Sequence, residues 1–193
     1  PLFGGISVFG VDALADSRSA KQLMAWLPDE PLLYDRLSAL EYLEFVASLW
    51  AVPKAVAAER AEQLLRLLDL WDVRNQRCEA YSRGMKQKAA LAGALVHEPQ
   101  LMLLDEPLTG LDAQAARLVK DILRARVQAG GAVVVTTHIL DVAERIADRI
   151  GIIARGQQIA EGPLAALQAQ AGTAGGTLEE VFLRLTAPPA EAV

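Results

Sequence analysis

LMLLDEPLTGLD, residues 101–112, decides the reading of this chain. Apolar residues from Leu101 to Leu104 are followed by two adjacent carboxylates, Asp105 and Glu106, and then by a turn. A short apolar run bounded by turn residues fits a buried strand. A strand that ends in Asp-Glu sets a pair of acids at the rim of a sheet, where a metal-bound phosphate and a water have room. In a phosphohydrolase one such carboxylate holds Mg2+ and its neighbour orients or deprotonates the attacking water. The same letters also describe a strand followed by an ordinary turn, so the stretch alone leaves both readings open.

Two further pieces carry chemistry. Ser82, in YSRGMKQK (81–88), is placed to cap a helix, with Gly84 in its first turn. A hydroxyl, exposed backbone N–H groups and a glycine that admits a ligand make an anion site, although a plain N-cap looks the same. Lys86 and Lys88 add positive charge nearby, as a solvated face also would. His138 follows the apolar run VVVTT (133–137). An imidazole at the end of a strand bonds a phosphate oxygen and senses its loss. A lone histidine is equally compatible with a structural role.

Working outward, the period of the apolar residues assigns the elements. Leu37, Leu40, Leu43, Val46 and Trp50 recur at helical spacing, with Ser38 a candidate N-cap and Glu41 three residues on. Pro53 ends that helix, and a second is expected over 55–68, with Ala61, Leu64, Leu65 and Leu68 on one face. A third runs from Ser82 to near His97. Asp112 is expected to cap a long helix that stops at Gly130. An edge strand or hairpin arm is expected at 6–9, a second apolar run at 23–27 is stopped by Pro28, and strands are expected at 101–104, 132–136 and 149–154, the last pairing with 157–161 across Gly156. The runs at 101–104 and 132–136 read as buried. Short helices are expected at 139–147, 164–170 and 178–185, with AGTAGG (171–176) a flexible joint and 187–193 a disordered tail. Apolar strands alternating with helices mean an α/β fold with a mostly parallel sheet. The helices between 38 and 97 break the alternation and read as an inserted all-helical subdomain.

Composition narrows the partners. The chain has 193 residues, 52% of them hydrophobic, and a net charge of −5. It is long enough for one domain with a full core, and its acidic balance argues against a nucleic-acid surface. Cys78 is the sole cysteine, which excludes an intrachain disulfide and a thiol zinc cluster and fits a reducing compartment. No apolar run approaches the roughly 18–20 residues of a membrane helix. The sequence opens at Pro1 without Met, as a fragment or processed chain does.

Order and spacing together carry a resemblance. From Leu2 to about Leu167 the chain resembles the ATP-binding subunits of ABC transporters. YSRGMKQKAALAGAL is similar to the family's signature motif and its helix, LMLLDEP to Walker B with the catalytic glutamate, LTGLD to the D-loop and VVVTTH to the switch-histidine loop. WLPDEPLLYDRLSALEYLEF resembles the glutamine-loop region, and FGGISVFGVDA the strand segment after the phosphate-loop helix. The resemblance implies a P-loop NTPase-like (RecA-like) core with ATP and Mg2+ as ligands. Its core would be 1–36 and 99–170, its helical subdomain 37–98, and 171–193 a C-terminal tail.

The roles it implies are specific. Asp105 would support Mg2+, Glu106 would be the general base and His138 would contact the γ-phosphate. Ser82 and Gly84, with Arg83 and Met85 in the same motif, would bind the γ-phosphate of ATP held by a second subunit, in a head-to-tail dimer. Asp112 would communicate across that dimer. Asp29 stands where the family has a glutamine that coordinates Mg2+ and couples to the membrane permease; a carboxylate still ligates the ion. The groove between loop 29–35 and the helices, with Leu32, Leu33, Tyr34 and Trp50, would receive a cytosolic helix of the permease, placing the subunit on the inner face of the cell membrane.

Tyr81, Arg83 and Met85 depart from the usual Leu, Gly and Gln. Signatures of this YSRGM type resemble bacterial exporters with simple six-helix permeases, drug exporters among them. No G-x-x-x-x-G-K-[ST] phosphate loop occurs, so the chain as written is expected to lack the first sheet strands and neither to bind ATP tightly nor to hydrolyse it. Two other functions share this resemblance: a soluble ABC-type ATPase acting on DNA or ribosomes, and a non-catalytic partner that only completes another subunit's site. No coiled-coil insertion or charged linker supports the first, and the presence of Glu106 and His138 argues against the second.

Overall fold

The apolar run that precedes the acid pair forms the middle strand of a three-stranded parallel sheet, of order β3–β4–β5. The structure is a computed structural model and describes residues 4–187. In chain order its first unit contains β1 (Ser7–Val8), β2 (Val11–Asp12), α1 (Ser17–Gln22), β3 (Met24–Leu27), α2 (Ala39–Leu49), α3 (Lys54–Leu67), α4 (Arg83–Leu95), β4 (Leu101–Asp105), α5 (Ala113–Gln128) and β5 (Ala132–Thr136). β1 and β2 form a separate antiparallel hairpin.

Register fixes where the chemistry sits. Leu27 lies opposite Leu104, and Asp105 opposite Thr136. The C-terminal ends of β3, β4 and β5 therefore share one edge, the edge at which parallel α/β sheets place their ligands.

One face of this sheet is packed. Ala25, Leu27, Met102 and Leu104 are buried, with Val133 and Val135 packed against the same core, alongside Val119 and Leu123 of α5. The opposite face carries the row Trp26–Leu103–Val134, in which Trp26 is 66% and Val134 51% exposed. The expectation that 132–136 is a buried strand is therefore corrected. β5 pairs on one side only and buries one face, so its run of valines alternates between core and solvent.

The helical segment shares its core with the strands. Ser38 caps α2 through a full capping box with Glu41: the Ser38 amide donates to Glu41 Oε2 at 2.8 Å and the Glu41 amide to Ser38 Oγ at 3.3 Å. Ala61, Leu65 and Leu68 are fully buried, in one cluster with Leu27 and Leu104. Gly93 on α4 meets the ring of Tyr42 on α2 so closely that a Cβ there would lie 2.6 Å from the ring. Helix α1 was missed by the periodicity because it has six residues, too few to show a period; Asp16 caps it by accepting from the Ser19 amide.

The chain divides into two compact units, 1–136 and 137–193. The second contains α6 (Leu140–Ile146), β6 (Ile150–Ala154), β7 (Gln157–Gly162), α7 (Leu164–Ala171) and α8 (Leu178–Thr186). β6 and β7 form an antiparallel hairpin whose turn residues Arg155 and Gly156 have φ of 52° and 76°, the pair of positive values that a type I′ turn requires. Ile150, Ile152, Ala160, Leu167, Leu178 and Val181 close its core. The stretch read as a tail from 171 thus contributes α8 to that core. The joint at 171–176 is held by a hydrogen bond of 2.6 Å from Gln168 Nε2 to the Gly176 carbonyl, and the end of the tail, 188–193, lies outside the described residues. Among the described residues no helix is long and apolar enough to cross a membrane.

Candidate functional site

Asp105 is the last residue of β4 and is exposed; the Thr136 hydroxyl at the end of β5 donates to its Oδ1. Glu106 follows with φ of 45°, a left-handed conformation that costs a residue with a Cβ about 1–2 kcal/mol. Its amide donates to the Thr136 carbonyl at 3.0 Å, so β5 holds the chain in that turn. The Thr109 hydroxyl lies 3.5 Å from Glu106 Oε2. The strain swings Glu106 out of strand alternation, which would otherwise send it to the face opposite Asp105.

Gln87 ties this turn to α4. It is 2% exposed and its Nε2 donates to the Pro107 carbonyl at 3.5 Å. Sequence reasoning passed over Gln87; the available signal was a polar residue among the alanines of the apolar face of α4.

Ser82 is the N-cap of α4, its Oγ accepting from the Met85 amide at 3.3 Å. The N–H groups of Arg83 and Gly84 lie in the first helical turn, where no carbonyl one turn back is available. Gly84 is needed for packing as well as access: a Cβ there would stand 3.0 Å from the Gly110 carbonyl oxygen. The Arg83 stem lies over Gly110, with Cδ 3.2 Å from where a Cβ would be. The structure therefore brings YSRGM and LTGLD together within the first unit. Met85 packs its side chain against the core. Asp112 caps α5, accepting from the Ala115 amide at 2.8 Å.

Asp29 follows β3 at the same sheet edge. Its Oδ1 is shielded from water without a hydrogen-bond partner, and Arg83 Nη2 lies 3.9 Å from it. His138 is exposed at the start of the second unit; next to it the Thr137 hydroxyl accepts from the Ile139 amide at 3.1 Å.

The donor set bears on Mg2+. Among the described residues no group of three or more His, Cys, Asp or Glu side chains could hold a metal ion. Mg2+ binds through one or two carboxylates, keeps several waters and takes its other ligands from phosphates. The exposed Asp105 at a strand end fits an ion that arrives with a nucleotide, and the surroundings do not fit a resident protein-caged metal.

Beside the sheet edge lies an apolar groove of about 210 Å3, lined by Trp26, Leu32, Tyr34, Phe45, Leu49 and Trp50. Tyr34 meets Phe45 edge to face at 5.1 Å. His97 closes one wall, stacked on Trp50 at 4.4 Å, with Nε2 3.0 Å from the Met24 carbonyl and Nδ1 buried without a partner. A carbonyl opposite Nε2 requires the proton there. Burial pushes the His97 pKa below its ordinary 6.5, Arg126 and Arg60 adding to the effect against the Met24 hydrogen bond. As pH falls below 6.5 the unfolded chain takes up the proton first, so this stabilisation is complete above 6.5 and is lost as pH drops toward the folded value. The urea midpoint of the wild type should fall between pH 7 and pH 5. His97→Gln, which keeps a donor for Met24 and does not titrate, should flatten that dependence; an unchanged slope would refute the assignment.

The family model described as ABC transporter matches residues 3–109. The daunorubicin/doxorubicin resistance ATP-binding protein DrrA of Streptomyces peucetius is 35% identical over 170 residues, 88% of this chain and 52% of its own length. The uncharacterized ABC transporter ATP-binding protein YthP of Bacillus subtilis is 32% identical over 160 residues, 83% of this chain and 68% of its own. A solved structure of an ATP binding subunit of an ABC transporter superposes with a TM-score of 0.88 at 32% identity, covering 96% of this chain and 77% of that one. The chain spans about half the length of several curated relatives that it matches.

Proposed function

Because the chain belongs to the ABC transporter ATP-binding family, we propose that it is the energy-coupling part of an exporter, which drives a separate membrane permease by ATP binding and hydrolysis; these 193 residues hold no phosphate loop and are inactive alone. The observation that carries the reading is the exposed Asp105 and the strained Glu106 side by side at the ligand-bearing edge of the parallel sheet. The resistance proteins among its relatives support the direction of transport.

The chemistry follows from the donors. Mg2+ bound with the nucleotide would neutralise charge on the phosphates, and Asp105 would hold it. Glu106 accepts the proton of the attacking water, with the Thr109 hydroxyl orienting its carboxylate. The family's motif gives His138 the role of contacting the γ-phosphate. Ser82 and the free amides of Arg83 and Gly84 receive the γ-phosphate of ATP held by a second subunit, which makes the working site composite. Asp112 lies on the D-loop side of that dimer, with its carboxylate committed to capping α5. In this reading Asp29 would also ligate that Mg2+. The helical subdomain is 37–98, and its groove takes a short apolar helix of the permease, which puts the subunit on the cytoplasmic face of the membrane.

Ser82 supplies the test. Ser82→Arg adds bulk and charge at the open end of α4, at an exposed position outside the core. ATP-dependent association with a subunit that carries a phosphate loop, followed by sedimentation velocity, should be lost while the melting temperature falls by only the roughly 2–4 °C expected for loss of the α4 cap. Association that survives the substitution would contradict the composite site.

A further inference from the structure

Two ion pairs join the loop at 28–38 to the first turn of α4. Lys86 Nζ lies 2.9 Å from Asp35 Oδ1, and Arg83 Nη2 lies 3.9 Å from Asp29 Oδ1. Arg83 and Lys86 are three apart on the helix and so share a face. The backbone also laces that loop to residues 77–79, which lead into α4. The Cys78 amide donates to the Leu37 carbonyl at 2.8 Å and the Glu79 amide to the Asp35 carbonyl at 3.0 Å, while Ser38 and Arg77 form an isolated bridge. Leu32 and Tyr34 of that loop line the apolar groove. The Arg83 stem is seated on Gly110, which limits the positions its guanidinium reaches.

We propose that Asp29 and Asp35 are positioning residues that act through Arg83 and Lys86, so that the groove-lining loop and the Ser82 end of α4 move as one body. The proposal rests on the reading of Ser82 as a nucleotide contact for its importance, and on geometry alone for its existence. It gives Asp29 a second task, as counter-ion to a signature-motif arginine. Occupation of the groove then alters how the Ser82 turn is presented to phosphate.

Hydrogen exchange on the full 193-residue chain separates this from a local effect. An acidic residue in the first turn of a helix is favourable and a basic one is not. If Lys86 acted only within α4, Lys86→Glu would slow exchange at 83–86. The clip predicts the reverse: three- to ten-fold faster exchange at 83–86 and at 32–37 together. It also predicts restoration to within twofold when Asp35→Lys is added, and loss of protection in 0.5 M salt for the wild type. Asp29→Asn, which preserves shape, should loosen 82–84 and 29–34 by about threefold. Slower exchange in Lys86→Glu, or no rescue in the reversed pair, overturns the clip whatever nucleotide does. A clip that passes while Ser82 ignores a partner's ATP upholds this inference and defeats the proposed function instead.

Discussion

Glu106→Gln lowers ATP turnover by about 10²- to 10⁴-fold in an ATP-hydrolysing assembly in which a phosphate loop is supplied to this chain's own sheet edge, the range lost with a general base. Glutamine has the same shape and can still accept from the Thr109 hydroxyl, so the turn at Pro107 keeps its geometry. It cannot take a proton from water at neutral pH. The effect therefore falls on kcat, with the apparent affinity for MgATP changed by no more than about twofold, because the interaction is made in the transition state. Phosphate release measured on purified assembly checks it. A loss below tenfold would mean that the carboxylate orients nothing and takes no proton, and that the strain at Glu106 serves only to turn the chain.

Gly93→Ala is the largest expected effect on stability. The added Cβ would sit 2.6 Å from Tyr42 Cε1 and 2.9 Å from its hydroxyl, closer than atoms in contact pack. Tyr42 has little room to retreat. It lies buried between α2 and α4, and burial pushes its phenol pKa up to about 12. Overpacking of this kind costs about 1–3 kcal/mol, which for a chain of this size lowers the melting temperature by roughly 2–12 °C. Tyr42→Leu in the same chain removes the clash, so the double variant should be more stable than the sum of the two losses implies. Calorimetry on the four proteins decides it. An unshifted melting temperature for Gly93→Ala would show that α2 and α4 do not approach as closely as described.

What the sequence disclosed was local. Caps read correctly because their chemistry lies within three residues: Ser38 with Glu41, Ser82 with Met85, Asp112 with Ala115. The acid pair after LMLL read correctly because an apolar run and its end are contiguous. What stayed hidden depends on partners far apart in the chain. Periodicity identifies Val134 as apolar and cannot say that its face of the sheet is left half open. Nothing in the letters pairs Lys86 with Asp35, or sets Asp29 against Arg83, because each pair closes more than fifty residues of chain. His97 gave no sign that Met24 fixes its tautomer. Glu106 hid its positive φ because sequence reasoning looks to glycine for that conformation. The roles proposed for Asp105, Glu106 and His138 rest on family motifs, which spacing alone does not reach.

In the proposed function the Ser82 end of α4 receives the terminal phosphate of a nucleotide held by another subunit. Amide resonances of the isotope-labelled chain, followed while an ATP-loaded subunit with a phosphate loop is titrated in, test it most directly. Ser82, Arg83 and Gly84 should shift saturably with ATP and not with ADP. Resonances that stay fixed at saturation, or that move equally with both nucleotides, would contradict it.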